Sequence, residues 1–74
     1  IDYVHASDLN SLTNLRVLDL SGNCALQINP DAFIELSKLQ DLRLSGNSLQ
    51  TINPSWFQNL TMLKYLYLSF NSLI

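Results

Sequence analysis

One imidazole and one thiol, His5 and Cys24, are all the histidine and cysteine chemistry this 74-residue chain offers. A zinc site draws its four ligands largely from those two residue types, so none can be assembled. A Ser/His/Asp or Cys/His relay needs a histidine held beside the nucleophile, and one histidine near the start of the chain does not supply it. Gly22 and Gly46 are the only glycines, too few for a loop that wraps a phosphate. The sequence therefore predicts no catalytic residue, no metal site and no cofactor. Four Lys/Arg against six Asp/Glu leave a net charge of −2. Phosphate backbones demand clustered cations, so nucleic-acid binding by these residues is not supported.

The chemistry that remains is recognition. Arg43, Tyr65 and Tyr67, with Asp19 and Asp41, are the residue types that anchor interfaces through planar hydrogen bonding, stacking and charge. Asn59-Leu60-Thr61 is an N-glycosylation sequon with no proline in its middle position. Cys24 is either a small half-buried thiol or half of a disulfide to a cysteine outside this chain. Three asparagines, Asn23, Asn47 and Asn71, stand 24 residues apart. An amide there can donate to carbonyls of its own and the neighbouring coil, which is a structural role.

That spacing belongs to the whole chain. Leu15-x-x-Leu18-x-Leu20-x-x-Asn23 returns from Leu39 to Asn47 and again from Leu63 to Asn71. Outside these cores Ile28 returns as Ile52, Pro30 as Pro54 and Phe33 as Phe57, while Leu12 returns as Leu36 and Leu60. Alternation in each Leu-x-Leu is the period of a short strand. Strands recurring in one direction stack as a parallel sheet about 4.8 Å apart. Leu15, Leu18, Leu20 and their equivalents are expected in the core. The return path is expected to be loop and loose 3₁₀ turns, opened by Asn29-Pro30-Asp31 and Asn53-Pro54-Ser55, with the polar residue after each proline as the cap. Phe33 and Phe57 are expected to stack as a spine.

The same register sorts the outward side chains into columns: Val17, Asp41, Tyr65; Asp19, Arg43, Tyr67; and Ser21, Ser45, Ser69. Asp19 and Arg43 fall on adjacent strands and can pair, and Arg43 can lie over Tyr67. Arg16, Gln40 and Lys64 form a mildly basic strip on one flank. Gly22, Gly46 and Phe70 form the other, where Phe70 is read as packing against a following unit rather than as a contact for another protein. Around Cys24 the pattern breaks, with Ala25 at the usual apolar position and Leu26 beside it.

Hydrophobic residues make up 47% and charged residues 14%, which excludes a disordered charged tail. No apolar run approaches the roughly 20 residues that cross a bilayer, so no direct membrane contact is expected. No signal peptide or lipidation motif is present. One segment spans 1–74: a partial unit 1–14, full units 15–38 and 39–62, and a partial unit 63–74. Solenoids close their open ends with polar caps, and neither end reads as one, so the expectation is an uncapped piece of a larger ectodomain.

The unit L-x-x-L-x-x-L-x-L-x-x-N-x-L-x-x-I-x-x-x-x-F-x-x-L runs through essentially the whole chain and resembles the leucine-rich repeat family. That implies an α/β solenoid, a horseshoe segment with short parallel strands on its concave face and loop or 3₁₀ turns on its convex face. Leu20-Ser21-Gly22-Asn23 and Leu68-Ser69-Phe70-Asn71, with Phe33 and Phe57, are similar to the extracellular class. Among those the chain most resembles a vertebrate Toll-like receptor ectodomain. The stretch Leu18 to Cys24, then Leu26 to Phe33 and Ser55-Trp56-Phe57, is similar to the endosomal nucleic-acid-sensing branch, without the long cysteine-containing insertion that follows Gly-Asn-Cys there. The resemblance implies an extracellular or endosomal lumenal receptor segment that binds a microbial ligand or a protein, with receptor homodimerisation and nucleic-acid binding as properties of the full receptor. An extracellular adhesion or matrix protein, or a solenoid stretch that only spaces other sites, are the alternatives.

Overall fold

The computed structural model describes residues 3–23 and 27–73. The elements in order are β1 (Tyr3–Val4), α1 (Ala6–Leu9), β2 (Val17–Asp19), β3 (Gln27–Ile28), β4 (Asp41–Arg43), a 3₁₀ turn (Pro54–Phe57) and β5 (Tyr65–Tyr67). Strands β2, β4 and β5 form a parallel sheet in that order. Val17 lies opposite Asp41 and Asp41 opposite Tyr65, while Asp19 faces Arg43 and Arg43 faces Tyr67. The sheet therefore advances by one 24-residue unit per strand.

The ladder repeats with the sequence. Arg16 O accepts from the N–H groups of Gln40 and Asp41, at 2.8 and 3.0 Å, and Gln40 O does the same for Lys64 and Tyr65. Leu20 N–H donates to Arg43 O and Leu44 N–H to Tyr67 O, both at 2.9 Å. A parallel ladder leaves no backbone group idle between units, and this lets such short strands hold.

The return path differs in part from its expectation. A 3₁₀ turn opens where Asn53-Pro54-Ser55 places it, whereas the stretch opened by Asn29-Pro30-Asp31 is a run of simple turns. The capping oxygens, however, come from the asparagine before each proline. Asn29 Oδ1 accepts from Asp31 N–H and Asn53 Oδ1 from Ser55 N–H, each at 2.9 Å. The proline fixes φ, and its missing N–H leaves the next amide for the asparagine to take. A second parallel pair, β1 with β3, joins Tyr3 to Gln27 and Val4 to Ile28 on this side. The Val4/Ile28/Ile52 column was legible as apolar, but two residues are too few to show a strand period.

Phe33, Leu36, Leu39, Leu42 and Leu44 are fully buried, with Leu20, Leu49, Leu60 and Trp56 around them. Burial follows neighbours: Leu42, with a strand on each side, is 0% exposed, while its equivalent Leu66 on β5 is 40% exposed. Leu12, in the repeat column of buried Leu36 and Leu60, is likewise exposed. The aromatic spine also runs differently. The ring against Phe33 is Trp56, at 6.4 Å between centroids, and Trp56 in turn meets Phe57 at 6.2 Å, both edge to face. Trp56 occupies the column of buried Ala32, so its larger indole reaches across to the ring of the preceding unit.

Candidate functional site

Strand alternation puts one residue of each strand, Leu18, Leu42 or Leu66, towards the core, and turns its two neighbours outward. The outward surface of β2, β4 and β5 carries Val17 and Asp19, Asp41 and Arg43, Tyr65 and Tyr67. Tyr65 is 56% exposed and Tyr67 42%. All five residues read from the sequence as a recognition group thus share one sheet face.

Their pairing is not the expected one. Arg43 does not bond Asp19 across the strands but reaches back along its own strand. Its Nε donates to Asp41 Oδ1 at 3.0 Å and its Nη2 to Asp41 Oδ2 at 3.1 Å. Residues i and i+2 of a strand share a face, so the guanidinium fork meets the carboxylate in a two-pronged pair. These bonds hold Arg43 above its ordinary value. The same guanidinium lies over the Tyr67 ring, 5.2 Å from its centroid. Asp41 keeps only 13% of its side-chain surface beneath this cover.

Asp19 is held instead by its own turn. Its Oδ1 accepts from the Ser21 N–H at 2.9 Å, and this bond is the leading reason its carboxyl titrates below the usual aspartate range, with the Ser21 side chain next and the Arg43 charge a minor cause. Asp19 is exposed on the sheet face.

The asparagines close the strand exits. Asn47, buried completely, donates through Nδ2 to Leu20 O and Leu44 O at 2.9 Å each and to Ser45 O at 3.4 Å, while its Oδ1 accepts from Asn23 N–H at 2.9 Å. Asn71 donates to Leu44 O and Leu68 O at 2.9 Å and accepts from the N–H groups of Asn47 and Leu49. Asn23 donates to Leu20 O at 2.6 Å. One amide thus ties two successive units together.

Beside this exit runs a column the sequence left as a flank strip. Gly22, Gly46 and Phe70 all take positive φ, at 75°, 71° and 59°. Glycine adopts this region freely and phenylalanine does not. Phe70 is also 91% exposed, so it packs on nothing among the described residues, and the following unit it is expected to pack against lies outside them. Arg16 and Lys64 stay exposed on the opposite flank with half-buried Gln40 between them. Asn59 is exposed on the return path, where its Nδ2 donates to Ile34 O at 3.1 Å. Cys24, with Ala25 and Leu26, lies outside the described residues. A cleft of about 500 Å³ opens where the chain leaves β4 for the return, lined by Ile28, Ser48, Leu49, Asn53 and Trp56 among others. Trp56 Nε1 is buried and has no hydrogen-bond partner among the described residues. Among the described residues no cluster of His, Cys, Asp and Glu has the shape of a metal site, and no helix is long and apolar enough to cross a membrane.

The family model described as leucine rich repeat matches residues 1–49 and again residues 13–73. No curated protein matches the chain.

Proposed function

Because the chain belongs to the leucine-rich repeat family, we propose that it is a recognition segment of an innate immune receptor ectodomain of the Toll-like class, binding a protein or microbial ligand. The family is a protein-interaction module and generally non-enzymatic. The observation that carries the reading is the outward sheet face, where two exposed tyrosines and an arginine lie in adjacent register positions. Large, half-rigid aromatic side chains present contact area at small entropic cost, which is why interfaces are built on them. In the proposed horseshoe this face is the concave one. Support for the receptor class comes from the 24-residue unit, the Leu-Ser-x-Asn exits and the phenylalanine column. Exposure of Asn59 on the return path supports a glycosylated, extracellular or endosomal lumenal chain, since a glycan leaves there without blocking the sheet face.

The test is the triple substitution Arg43→Ala, Tyr65→Ala, Tyr67→Ala in the intact receptor. Truncating three anchors should lower ligand-driven signalling at least about tenfold at unchanged surface expression. Unchanged signalling retires this face as the site. For the compartment, Asn59→Gln should remove an endoglycosidase-sensitive shift in electrophoretic mobility.

A further inference from the structure

The outward face has a charge pattern that the pairing of Arg43 decides. Four cations are present in the chain, and Arg16, Lys38 and Lys64 all lie outside the outward columns. Arg43, the one cation on the face, is committed to Asp41 by two hydrogen bonds and lies against Tyr67. Two carboxylates against one guanidinium leave the face one negative charge in excess. That excess is carried by Asp19, since Asp41 is covered by Arg43 and Asp19 is anchored only by Ser21. The same face carries exposed apolar surface: Val17 two residues back on Asp19's own strand, and Tyr65 and Tyr67 on β5, beyond the intervening β4.

Resting on the reading of this face as the binding surface, we propose that it takes a protein segment presenting an arginine or lysine between apolar residues. The partner's cation sits on Asp19, and its apolar flanks lie on Val17 and the tyrosine rings. Arg43 is then a positioning residue. It shields Asp41 and holds the Tyr67 ring, and makes no ion pair with the partner. A partner offering a carboxylate would find only the remaining N–H groups of a guanidinium whose charge Asp41 already offsets, and would stand beside Asp41 and Asp19, which works against binding. Charge complementarity of this kind also favours the encounter and suppresses partners of the wrong sign.

A phage-displayed random dodecapeptide library, selected on the immobilised 74-residue chain, provides the probe. Recovered peptides should be enriched in Arg or Lys next to aliphatic or aromatic residues. Asp19→Asn keeps the oxygen that accepts from Ser21 and removes only the charge, so it should weaken those peptides about threefold to fivefold, the scale of one exposed ion pair. Arg43→Gln leaves the face at two negative charges and should tighten them; weakening would make Arg43 the contact and overturn the assignment. Acidic recovered peptides, or affinity indifferent to Asp19→Asn, overturn the cation while leaving the face in place if Tyr65→Ala with Tyr67→Ala abolishes binding. Peptides untouched by the tyrosine substitutions, or no recovery at all, overturn the face and the cation together. Circular dichroism of each variant keeps loss of fold separate from loss of contact.

Discussion

Asn47→Asp replaces an amide by a carboxyl of nearly the same shape at a site with no exposed surface. The amide's two N–H bonds serve Leu20 O and Leu44 O, both at 2.9 Å, with Ser45 O further off. A protonated carboxyl has one O–H and can serve only one of them. The other carbonyl is left buried without a donor, a loss of about 1–3 kcal/mol. An ionised carboxyl is worse, because its oxygens then face two carbonyl oxygens in a site closed to water. The folded state therefore holds the proton more tightly than the unfolded one does, and the introduced carboxyl titrates above its unfolded value of about 3.9. Each unit of that elevation costs about 1.4 kcal/mol once the pH lies above both values. An elevation of about two units with one orphaned carbonyl gives about 4–6 kcal/mol at neutral pH. A chain of this size has a total stability of about 4–11 kcal/mol, so most or all of it is lost.

The sign is the useful part. A folded pKa raised above the unfolded one makes the variant lose stability as pH rises between the two values. The deficit relative to the parent should therefore shrink on acidification towards pH 4, leaving only the missing donor. Asn47→Ala lacks both donors at every pH and should show a deficit that does not change. Urea unfolding followed by far-ultraviolet circular dichroism at pH 4, 5.5 and 7 measures both. An Asn47→Asp deficit that is absent, or equal at all three pH values, refutes the account of Asn47 as an obligatory double donor.

Three further outcomes follow from particular contacts. Trp56→Phe removes the unpartnered Nε1 and keeps most of the ring contact with Phe33, so it should cost less than about 1.5 kcal/mol, whereas Trp56→Ala should cost about 3–5 kcal/mol in the same melts. Phe70→Gly relieves a positive φ at a side chain that buries almost nothing, and should raise stability by about 1 kcal/mol. The Asp19 carboxyl, followed by carbon-detected NMR titration, should show a midpoint below the ordinary aspartate value. Because the backbone N–H of Ser21 is the leading cause, Ser21→Ala should keep most of that depression. Any stability Asp19 lends is present above its unfolded value and lost as pH falls through the lower folded one.

Positions set by the 24-residue period were legible because every unit solves the same burial problem. Leu42 and Leu44 sit inward, while Asp41 and Arg43 sit outward, for the reason that strand side chains alternate. What the period leaves open is any choice between partners that it places equally near. Asp19 and Asp41 are both beside Arg43, one across the sheet and one along the strand. The deciding fact is that Asp19 already has a donor in its own turn, which a column of residue types does not reveal. Trp56 was missed for a related reason. Its column holds Asp8 and Ala32, so no rule of periodicity marked it as buried. A tryptophan beside the Phe57 column, one unit on from a small residue, was the signal available.

The amides and the outward face divide the labour of each unit, and this bears on where specificity can reside. Asn47 spends every polar group it has on Leu20, Leu44, Ser45 and Asn23, so its column can vary little without unfolding the chain. The outward columns carry no such obligation: Val17, Asp41 and Tyr65 occupy equivalent positions, as do Asp19, Arg43 and Tyr67. Across three strands the first column changes from apolar to acidic to aromatic and the second from acidic to basic to aromatic, while the backbone ladder stays the same. A fold that is indifferent to these side chains is free to set them by what they must contact. The local pairing then acts as a filter. By tying Arg43 to Asp41, the chain cancels one charge of each sign and leaves Asp19, next to Val17 on its strand, as the uncancelled charge; in the proposed recognition, that one hydrogen-bonded pair sets the sign of the partner the face favours.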